Sequence, residues 1–152
     1  MPSVLFVCTA NICRSPMAMA LFRTKILPEG DHWRIESAGT WAQEDYPASL
    51  KAQEVVTKLG GELSDHRSQA INKELLDSFN LILTMEQGHK EALQAEFPDV
   101  RKNVYLLSEM SGPGRDIKDP YGSTLEDYEA TAEEIATYLT EGLEKICELA
   151  AD

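Results

Sequence analysis

The sequence lacks most of what marks a secreted or membrane-bound protein. It has only three cysteines in 152 residues, an odd number that argues against a secreted disulfide framework. The cysteines form no paired Cys-x-x-Cys sets with histidines at zinc spacing, so we expect no metal site. No apolar run reaches the length of a membrane span, and the first residues lack the pattern of a secretory signal. We therefore expect a cytoplasmic protein.

Positive charge is also scarce. Lys and Arg number 14 against 26 Asp and Glu, which gives a formal net charge of −12. Such a surface repels nucleic acid and anionic membranes, so we expect neither as a partner. Any site for an anion must then be local and inward-facing, built from backbone N–H groups and a few cations.

What the sequence does contain is a regular alternation of strand and helix patterns. It has no repeat or linker-like tract, so we expect one domain over residues 1–152. Apolar runs predict strands at 3–8, 33–37, 81–85 and 104–107. Helical spacing predicts helices at 15–26, 48–59, 73–78 and 87–96, and one long final helix from Thr124 to Ile146. This order predicts a three-layer αβα fold, with helices on both faces of a mostly parallel sheet.

The first strand ends in an unusual stretch, VLFVCTANICRSP at residues 4–16. An apolar run ends at Cys8, a short polar turn follows, and a helix then begins with Arg14 and Ser15 at its start. Ligands of such sheets bind at the carboxyl ends of the strands, where Cys8 lies. A tight turn into a helix directs backbone N–H groups at an anion. We therefore expect an oxyanion such as inorganic phosphate to bind the turn residues Thr9, Ala10, Asn11, Ile12 and Cys13, together with Ser15 at the start of the helix.

The side chains of this stretch fit phosphate chemistry. The positive end of the helix favours the thiolate of Cys8, which is the nucleophilic form. The planar fork of Arg14 matches two oxygens of a phosphate. Ser15 can cap the helix and donate its hydroxyl to the Cys8 sulfur, and Asn11 tolerates left-handed backbone angles. A Cys and an Arg at this spacing are common by chance. The prediction of an anion site therefore depends on the strand before this stretch and the Ser-Pro helix start after it.

A nucleophile of this kind needs a proton donor for the leaving group. Asp119 lies in the loop sequence KDPYG, residues 118–122, where Pro120 fixes the backbone. Asp-Pro alone is usually only a turn. Beside a nucleophile loop, Asp119 becomes a candidate general acid that could afterwards activate water as a base.

Together these motifs resemble the low-molecular-weight protein tyrosine phosphatase family, through most of the chain. Residues 7–16 are similar to the family's phosphate loop, with Ala10 where Gly is more usual, and 119–122 are similar to its acid loop. Ser37 and His66 resemble the family residues that hydrogen-bond Asn11 and hold the loop in shape.

The resemblance implies a central four-stranded parallel sheet and a two-step hydrolysis of phosphotyrosine in proteins or peptides. Cys8 would be the nucleophile, Arg14 the oxyanion clamp, and Asp119 the acid and then the base of a cysteinyl-phosphate mechanism. It needs no metal or other cofactor, because Arg14 and the amides supply the charge stabilisation. We expect Ile12, Trp41 and Tyr121 to form the substrate pocket, with Trp41 as an aromatic wall facing Tyr121. The alternative is that Trp41 fills the hydrophobic core, as a Trp in a loop often does.

Three other functions are open at this point. A bacterial branch of the same family hydrolyses phosphoarginine and tends to carry Thr where this chain has Ile12, so Ile12 favours an aromatic ring. An arsenate reductase on this scaffold would need a further cysteine near residues 81–85, which is absent. A phosphocarrier or phosphate-binding module would have no use for Asp119.

Overall fold

Four parallel strands form one sheet in the computed structural model, which describes residues 1–27 and 29–152. The strands are β1 (Ser3–Cys8), β2 (Arg34–Gly39), β3 (Leu81–Thr84) and β4 (Val104–Leu106), in the spatial order β2-β1-β3-β4. All three pairings are parallel. The two central strands run as continuous apolar stretches because a parallel sheet covered on both faces buries every position.

The helices are α1 (Arg14–Lys25), α2 (Leu50–Lys58), α3 (Lys73–Asp77), α4 (Gln87–Glu96), α5 (Leu125–Glu141) and α6 (Leu143–Ala150). Short 3-10 turns lie at Glu29–His32, Pro98–Asn103 and Leu107–Met110. Within residues 1–27 and 29–152, no helix is both long and apolar enough to cross a bilayer.

Alternate residues of β1 pack into different cores on the two faces of the sheet. Val4 and Phe6 join a cluster with side chains of α1, α2, α5 and α6. Leu5 and Val7 join a second cluster with side chains of α3 and α4. Because successive side chains of a strand point to opposite faces of the sheet, β1 contributes to the hydrophobic cores on both faces. This confirms the predicted three-layer αβα fold.

The strand register brings three strand ends together. Cys8 pairs with Gly39 of β2, and Val7 pairs with Thr84 of β3. Beyond β3, the N–H of Ile117 donates to the carbonyl of Met85 at 2.9 Å, which fixes the segment just before residue 119 against the same edge. The turn after β1, the start of α4 and the 118–122 loop therefore meet at one place.

Two predictions about helix ends are wrong. The final helix is not continuous but ends at Glu141 and restarts at Leu143. A side chain at Gly142 would place its Cβ 2.5 Å from the Cβ of Met110, so glycine at this position lets the chain pass the Leu107–Met110 turn closely. Ser15 does not cap α1, because the N-cap position is Cys13 and has no side-chain cap bond. The Ser15 hydroxyl is used elsewhere.

Candidate active site

The turn after β1 encloses a cavity of about 230 Å³, which we call the loop cavity. Its lining consists of the loop residues 8–14 together with Asp119 and Tyr121. Cys8 and Arg14 are almost completely buried, at 3% and 2% exposure, at its base. Asp119 is exposed, with 46% of its side chain accessible. The fold thus brings the candidate carboxylate, Asp119, to the candidate nucleophile and guanidinium, which lie more than a hundred residues earlier in the sequence.

The sulfur of Cys8 lies next to two donors from the start of α1. The Ser15 hydroxyl is 2.9 Å from Sγ, and the backbone N–H of Ser15 points at Sγ from 3.4 Å. The amide of Asn11 donates to the Ser15 oxygen at 2.9 Å. The hydroxyl hydrogen can be donated to the Cys8 sulfur at 2.9 Å or to the Ala38 carbonyl at 3.4 Å, and the sulfur is the nearer acceptor. This arrangement stabilises negative charge on Cys8.

Arg14 is anchored through one end of its guanidinium. Nη1 forms an ion pair with the carboxylate of Glu86 and donates to the carbonyl of Ile117 at 2.7 Å. Nη2 lies 3.6 Å from a carboxylate oxygen of Asp119. Nε is buried and has no hydrogen-bond partner among the described residues. A buried, unsatisfied donor is costly, and an oxyanion in the loop cavity would satisfy it.

Asn11 holds the loop in a left-handed conformation, with φ of 60°. Its side-chain amide donates to Ser15 and to Ser37, both at 2.9 Å. Its side-chain oxygen accepts from the backbone N–H of Gln69 at 2.9 Å, and its backbone carbonyl accepts from Nε2 of His66 at 2.8 Å. Ser37 and His66 therefore both hydrogen-bond Asn11. The contact from Gln69 is a backbone one, which no side-chain pattern could have indicated.

The His66 ring is held in one protonation state. Burial lowers its pKa below the ordinary value and outweighs the hydrogen bond to the Asn11 carbonyl, which raises it; the Arg23 cation adds a smaller lowering. The neutral ring is therefore favoured near pH 7. A carbonyl can only accept, so the single ring proton lies on Nε2 and is donated to Asn11.

Cys13 is a thiol with a different environment from Cys8. Its sulfur lies 3.2 Å from the Tyr128 hydroxyl and 3.5 Å from the Ser49 hydroxyl. Burial raises the pKa of Cys13 above its ordinary value, and burial also raises the pKa of Tyr128 to about 12. Cys13 thus stays protonated near neutral pH and does not compete as a nucleophile.

The predicted aromatic residues line a second opening beside the loop cavity. This neighbouring cavity, of about 540 Å³, is lined by Trp41 and Tyr46 and shares Ala10, Ile12 and Tyr121 with the loop cavity. Trp41 is 84% exposed, so it does not fill the hydrophobic core. Trp41 does not line the loop cavity itself, whereas Tyr121 and Ile12 do. Tyr121 is therefore the aromatic wall of the loop cavity.

Comparison with known proteins places this geometry in a family. The family model of low molecular weight phosphotyrosine protein phosphatases matches residues 3–150. The chain belongs to this phosphatase family. A protein-arginine-phosphatase of Geobacillus stearothermophilus is 39% identical over 144 residues, or 94% of this chain and 95% of that protein. A probable low molecular weight protein-tyrosine-phosphatase, EpsP, of Ralstonia nicotianae is 39% identical over 133 residues, 88% of each chain.

Solved phosphatase structures agree with this assignment. A low molecular weight protein tyrosine phosphatase from T. tengcongensis has a TM-score of 0.90 and 40% identity, covering 95% of this chain and 99% of that one. A YwlE arginine phosphatase mutant with a phosphorylated active-site serine has a TM-score of 0.89 and 32% identity, with 95% of both chains covered. The tyrosine phosphatase Wzb from Escherichia coli K30, in complex with sulphate, has a TM-score of 0.86 and 31% identity, covering 96% and 99%.

Close packing behind the phosphatase loop gives a first testable prediction, at Gly39. A Cβ at this position would lie 2.3 Å from the backbone oxygen of Thr9 and 3.1 Å from the backbone nitrogen of Asn11. Gly39→Ala must therefore push the loop out of shape. We expect weaker binding of inorganic phosphate by roughly tenfold or more and a lower melting temperature, because overpacking costs about 1–3 kcal/mol.

The matched control is Gly88→Ala on α4, where an added Cβ meets nothing within 4 Å. This change should leave phosphate affinity intact and raise the melting temperature slightly, since Ala favours a helix over Gly. Phosphate inhibition and thermal unfolding of both variants provide the measurement. Equal phosphate affinity in the two variants would show that the loop does not depend on the close approach at Gly39.

Proposed function

We propose that this chain hydrolyses phosphotyrosine in proteins and peptides through a cysteinyl-phosphate intermediate. The observation that carries the proposal is the content of the loop cavity: the Cys8 sulfur, the buried Arg14 with its unsatisfied Nε, and the Asp119 carboxylate. These are the nucleophile, charge stabiliser and acid that displacement at phosphorus needs.

In the first step, the Cys8 thiolate attacks phosphorus in line with the departing phenolic oxygen. The sulfur–phosphorus bond forms while the phosphorus–oxygen bond breaks. The phosphoryl oxygens carry negative charge, which Arg14 and the loop amides stabilise. Asp119, in its protonated form, transfers its proton to the phenolic oxygen, and tyrosine leaves as the neutral phenol.

In the second step, the ionised Asp119 takes a proton from a water molecule. The water oxygen attacks phosphorus, and the sulfur–phosphorus bond breaks to regenerate the Cys8 thiolate and release inorganic phosphate. The Ser15 hydroxyl, 2.9 Å from the sulfur, stabilises the leaving thiolate. A phosphorylated serine has been seen in the active site of the YwlE mutant, which supports a phosphoenzyme for this chain too.

The walls of the loop cavity support an aromatic substrate. Ile12 is an apolar, half-buried side chain, and Tyr121 is an aromatic one with 66% exposure. A flat phenyl ring could lie between them, with the phosphate at Cys8. Trp41, Tyr46 and Leu50 extend the apolar surface outward and could contact residues that flank the phosphotyrosine.

A second candidate function is hydrolysis of phosphoarginine. It is favoured by the protein-arginine-phosphatase of Geobacillus stearothermophilus, which matches nearly the whole chain at 39% identity. The charged guanidinium of that substrate would lie beside Ile12, which has no polar group to meet it. We therefore place phosphotyrosine first.

Substitution at Ile12 tests the choice between the two substrates. Wild-type protein should hydrolyse a phosphotyrosine peptide with higher kcat/KM than a phosphoarginine peptide of matched sequence. Ile12→Thr should lower the ratio of these two kcat/KM values by about tenfold or more, because one hydroxyl in a pocket can change specificity by that amount. Ile12→Val is the control, since Val and Thr have the same shape and differ in the hydroxyl.

The proposal predicts that Ile12→Val keeps most of the preference for phosphotyrosine. If the wild-type protein instead prefers phosphoarginine, the second candidate replaces the first. If Val and Thr change the ratio equally, Ile12 acts through its volume and not through its polarity.

The proposed function extends to partners and location. Phosphotyrosine-containing proteins would be the substrates, and phosphate or related oxyanions the ligands of the cavity. We propose a cytoplasmic location, because all three cysteines are free and a thiolate nucleophile is best preserved in a reducing compartment. Cell fractionation with an antibody against the chain would test this.

A further inference from the structure

A buried histidine beside the 8–14 loop has no part in the mechanism above. His89 lies in the first turn of α4 and is 8% exposed. Its Nε2 is 2.8 Å from the hydroxyl oxygen of Thr9, the residue directly after Cys8. Its Nδ1 is buried and has no hydrogen-bond partner among the described residues. Thr9 lines the loop cavity, whereas His89 does not.

These contacts fix where the ring proton lies. A neutral imidazole carries one N–H, and a proton on Nδ1 would be a buried donor without an acceptor. A proton on Nε2 is donated to Thr9, and Nδ1 is left as a bare acceptor. Unsatisfied buried acceptors are tolerated better than unsatisfied buried N–H groups. The geometry therefore favours the Nε2–H form.

The charges around His89 agree with a neutral ring. Burial is the largest influence and lowers its pKa below the ordinary value, and the Arg14 guanidinium acts in the same direction. The carboxylates of Glu86, Asp116 and Asp119 act in the opposite direction and raise it. The burial effect exceeds theirs, so near neutral pH the ring carries a single proton.

The proton on Nε2 of His89 determines how the Thr9 hydroxyl can hydrogen-bond. Since its hydroxyl oxygen accepts a hydrogen bond from His89, its own hydrogen is free to be donated elsewhere. Thr9 lines the loop cavity, where the proposed function places the phosphoryl oxygens. We propose that His89 is a positioning residue that orients the Thr9 hydroxyl as a hydrogen-bond donor to the oxyanion bound in the loop cavity. This inference rests on the proposed function.

The position of the ring proton can be measured without any activity. Long-range ¹H–¹⁵N spectra of the wild-type protein distinguish the two neutral forms, and His89→Gln identifies the His89 signals among the three histidines. We expect a neutral ring with its proton on Nε2, both without and with inorganic phosphate. A proton on Nδ1, or a ring that is charged at neutral pH without phosphate, would overturn the inference.

A double-mutant cycle tests the action through Thr9. Thr9→Val removes the hydroxyl at constant shape and should weaken phosphate binding and lower kcat/KM for an aryl phosphate by roughly tenfold, the value of one hydrogen bond to a charged group. His89→Leu should cause a similar loss. The double variant should lose little more than either single variant, because the two residues serve one hydrogen bond.

Rescue separates positioning from mere support of the fold. His89→Gln keeps an N–H donor at a similar reach and should recover most of the activity that His89→Leu loses, whereas in the Thr9→Val background Gln and Leu should be equivalent. Additive losses in the cycle, or no rescue by Gln, would overturn the inference. If His89→Leu does not fold, the comparison of His89→Gln with Thr9→Val and the spectra of the wild-type protein still decide it.

Failure of this inference can be told apart from failure of the proposed function. A wild-type protein that does not hydrolyse phosphotyrosine contradicts the proposed function, and the phosphate-binding cycle and the proton position then test His89 by themselves. A wild-type protein that hydrolyses the substrate but shows additive losses contradicts the role of His89 alone.

Discussion

Cys8→Ala is expected to reduce kcat for an aryl phosphate by about 10⁴-fold or more, because removing the attacking group of a covalent mechanism removes its reaction path. The sulfur at position 8 lies at the base of the loop cavity, with the Ser15 hydroxyl at 2.9 Å. Rapid-quench kinetics with p-nitrophenyl phosphate should show neither a burst nor turnover. Mass spectrometry of acid-quenched protein should show no phosphorylated species.

Two further cysteine variants control this experiment. Cys147→Ala alters a half-buried cysteine on α6 that lines neither cavity and should retain normal kinetics. Cys8→Ser keeps a weaker nucleophile, and the related YwlE mutant carries phosphate on its active-site serine. We therefore expect Cys8→Ser to become phosphorylated slowly and to turn over poorly. Substantial activity in Cys8→Ala would remove the basis of the covalent mechanism.

The part of the site that the sequence predicts is the part encoded locally. A buried strand that stops at Cys8, a polar turn and a helix start occupy consecutive residues, and this local context, more than the spacing of Cys8 and Arg14, indicates an anion loop. Asp119 could be predicted because Asp-Pro in a loop is a recognisable pattern and the nucleophile loop supplies a reason for an acid. Parallel strands with their carboxyl ends at one edge then bring the two loops together.

The part that could not be predicted depends on contacts between distant segments. Glu86, which pairs with Arg14, and His89, which contacts Thr9, follow β3 and lie at the same sheet edge as the loop. In the sequence they are one acid among 26 Asp and Glu and one histidine at an ordinary helix start. Their contacts with the loop depend on the pairing of β1 with β3, which cannot be read from the sequence.

Helix ends show the same limit. Leu139, Leu143 and Ile146 keep one apolar face across the break at Gly142, so periodicity predicts a continuous helix. The break lies at Gly142, where an added Cβ would come within 2.5 Å of the Cβ of Met110, a close approach between distant residues that periodicity does not reveal. For Ser15 the sequence predicts both a helix cap and a contact with the Cys8 sulfur; the structure has the contact, at 2.9 Å, and not the cap.

Asp119→Ala should separate the two chemical steps. Loss of a general acid or base typically lowers the rate by about 10²–10⁴-fold. The loss in the first step should depend on the leaving group: large for phenyl phosphate, whose phenolate needs a proton, and small for p-nitrophenyl phosphate, whose phenolate leaves unaided. The second step needs Asp119 to activate water whichever substrate was used. With p-nitrophenyl phosphate, the variant should therefore give a burst of product followed by slow turnover, with phosphorylated Cys8 accumulating.

The control is Asp99→Ala, which removes an exposed carboxylate from the Pro98–Asn103 turn, away from the loop cavity. It should behave as wild type with both substrates. Equal losses in the rate of the first step on phenyl and p-nitrophenyl phosphate would contradict the role of Asp119 as the acid. A burst without trapped phosphoenzyme would contradict its role as the base. Since Asp119 lies within 3.6 Å of Arg14, a loss of phosphate affinity that accompanied equal rate losses would show instead that the carboxylate positions the guanidinium.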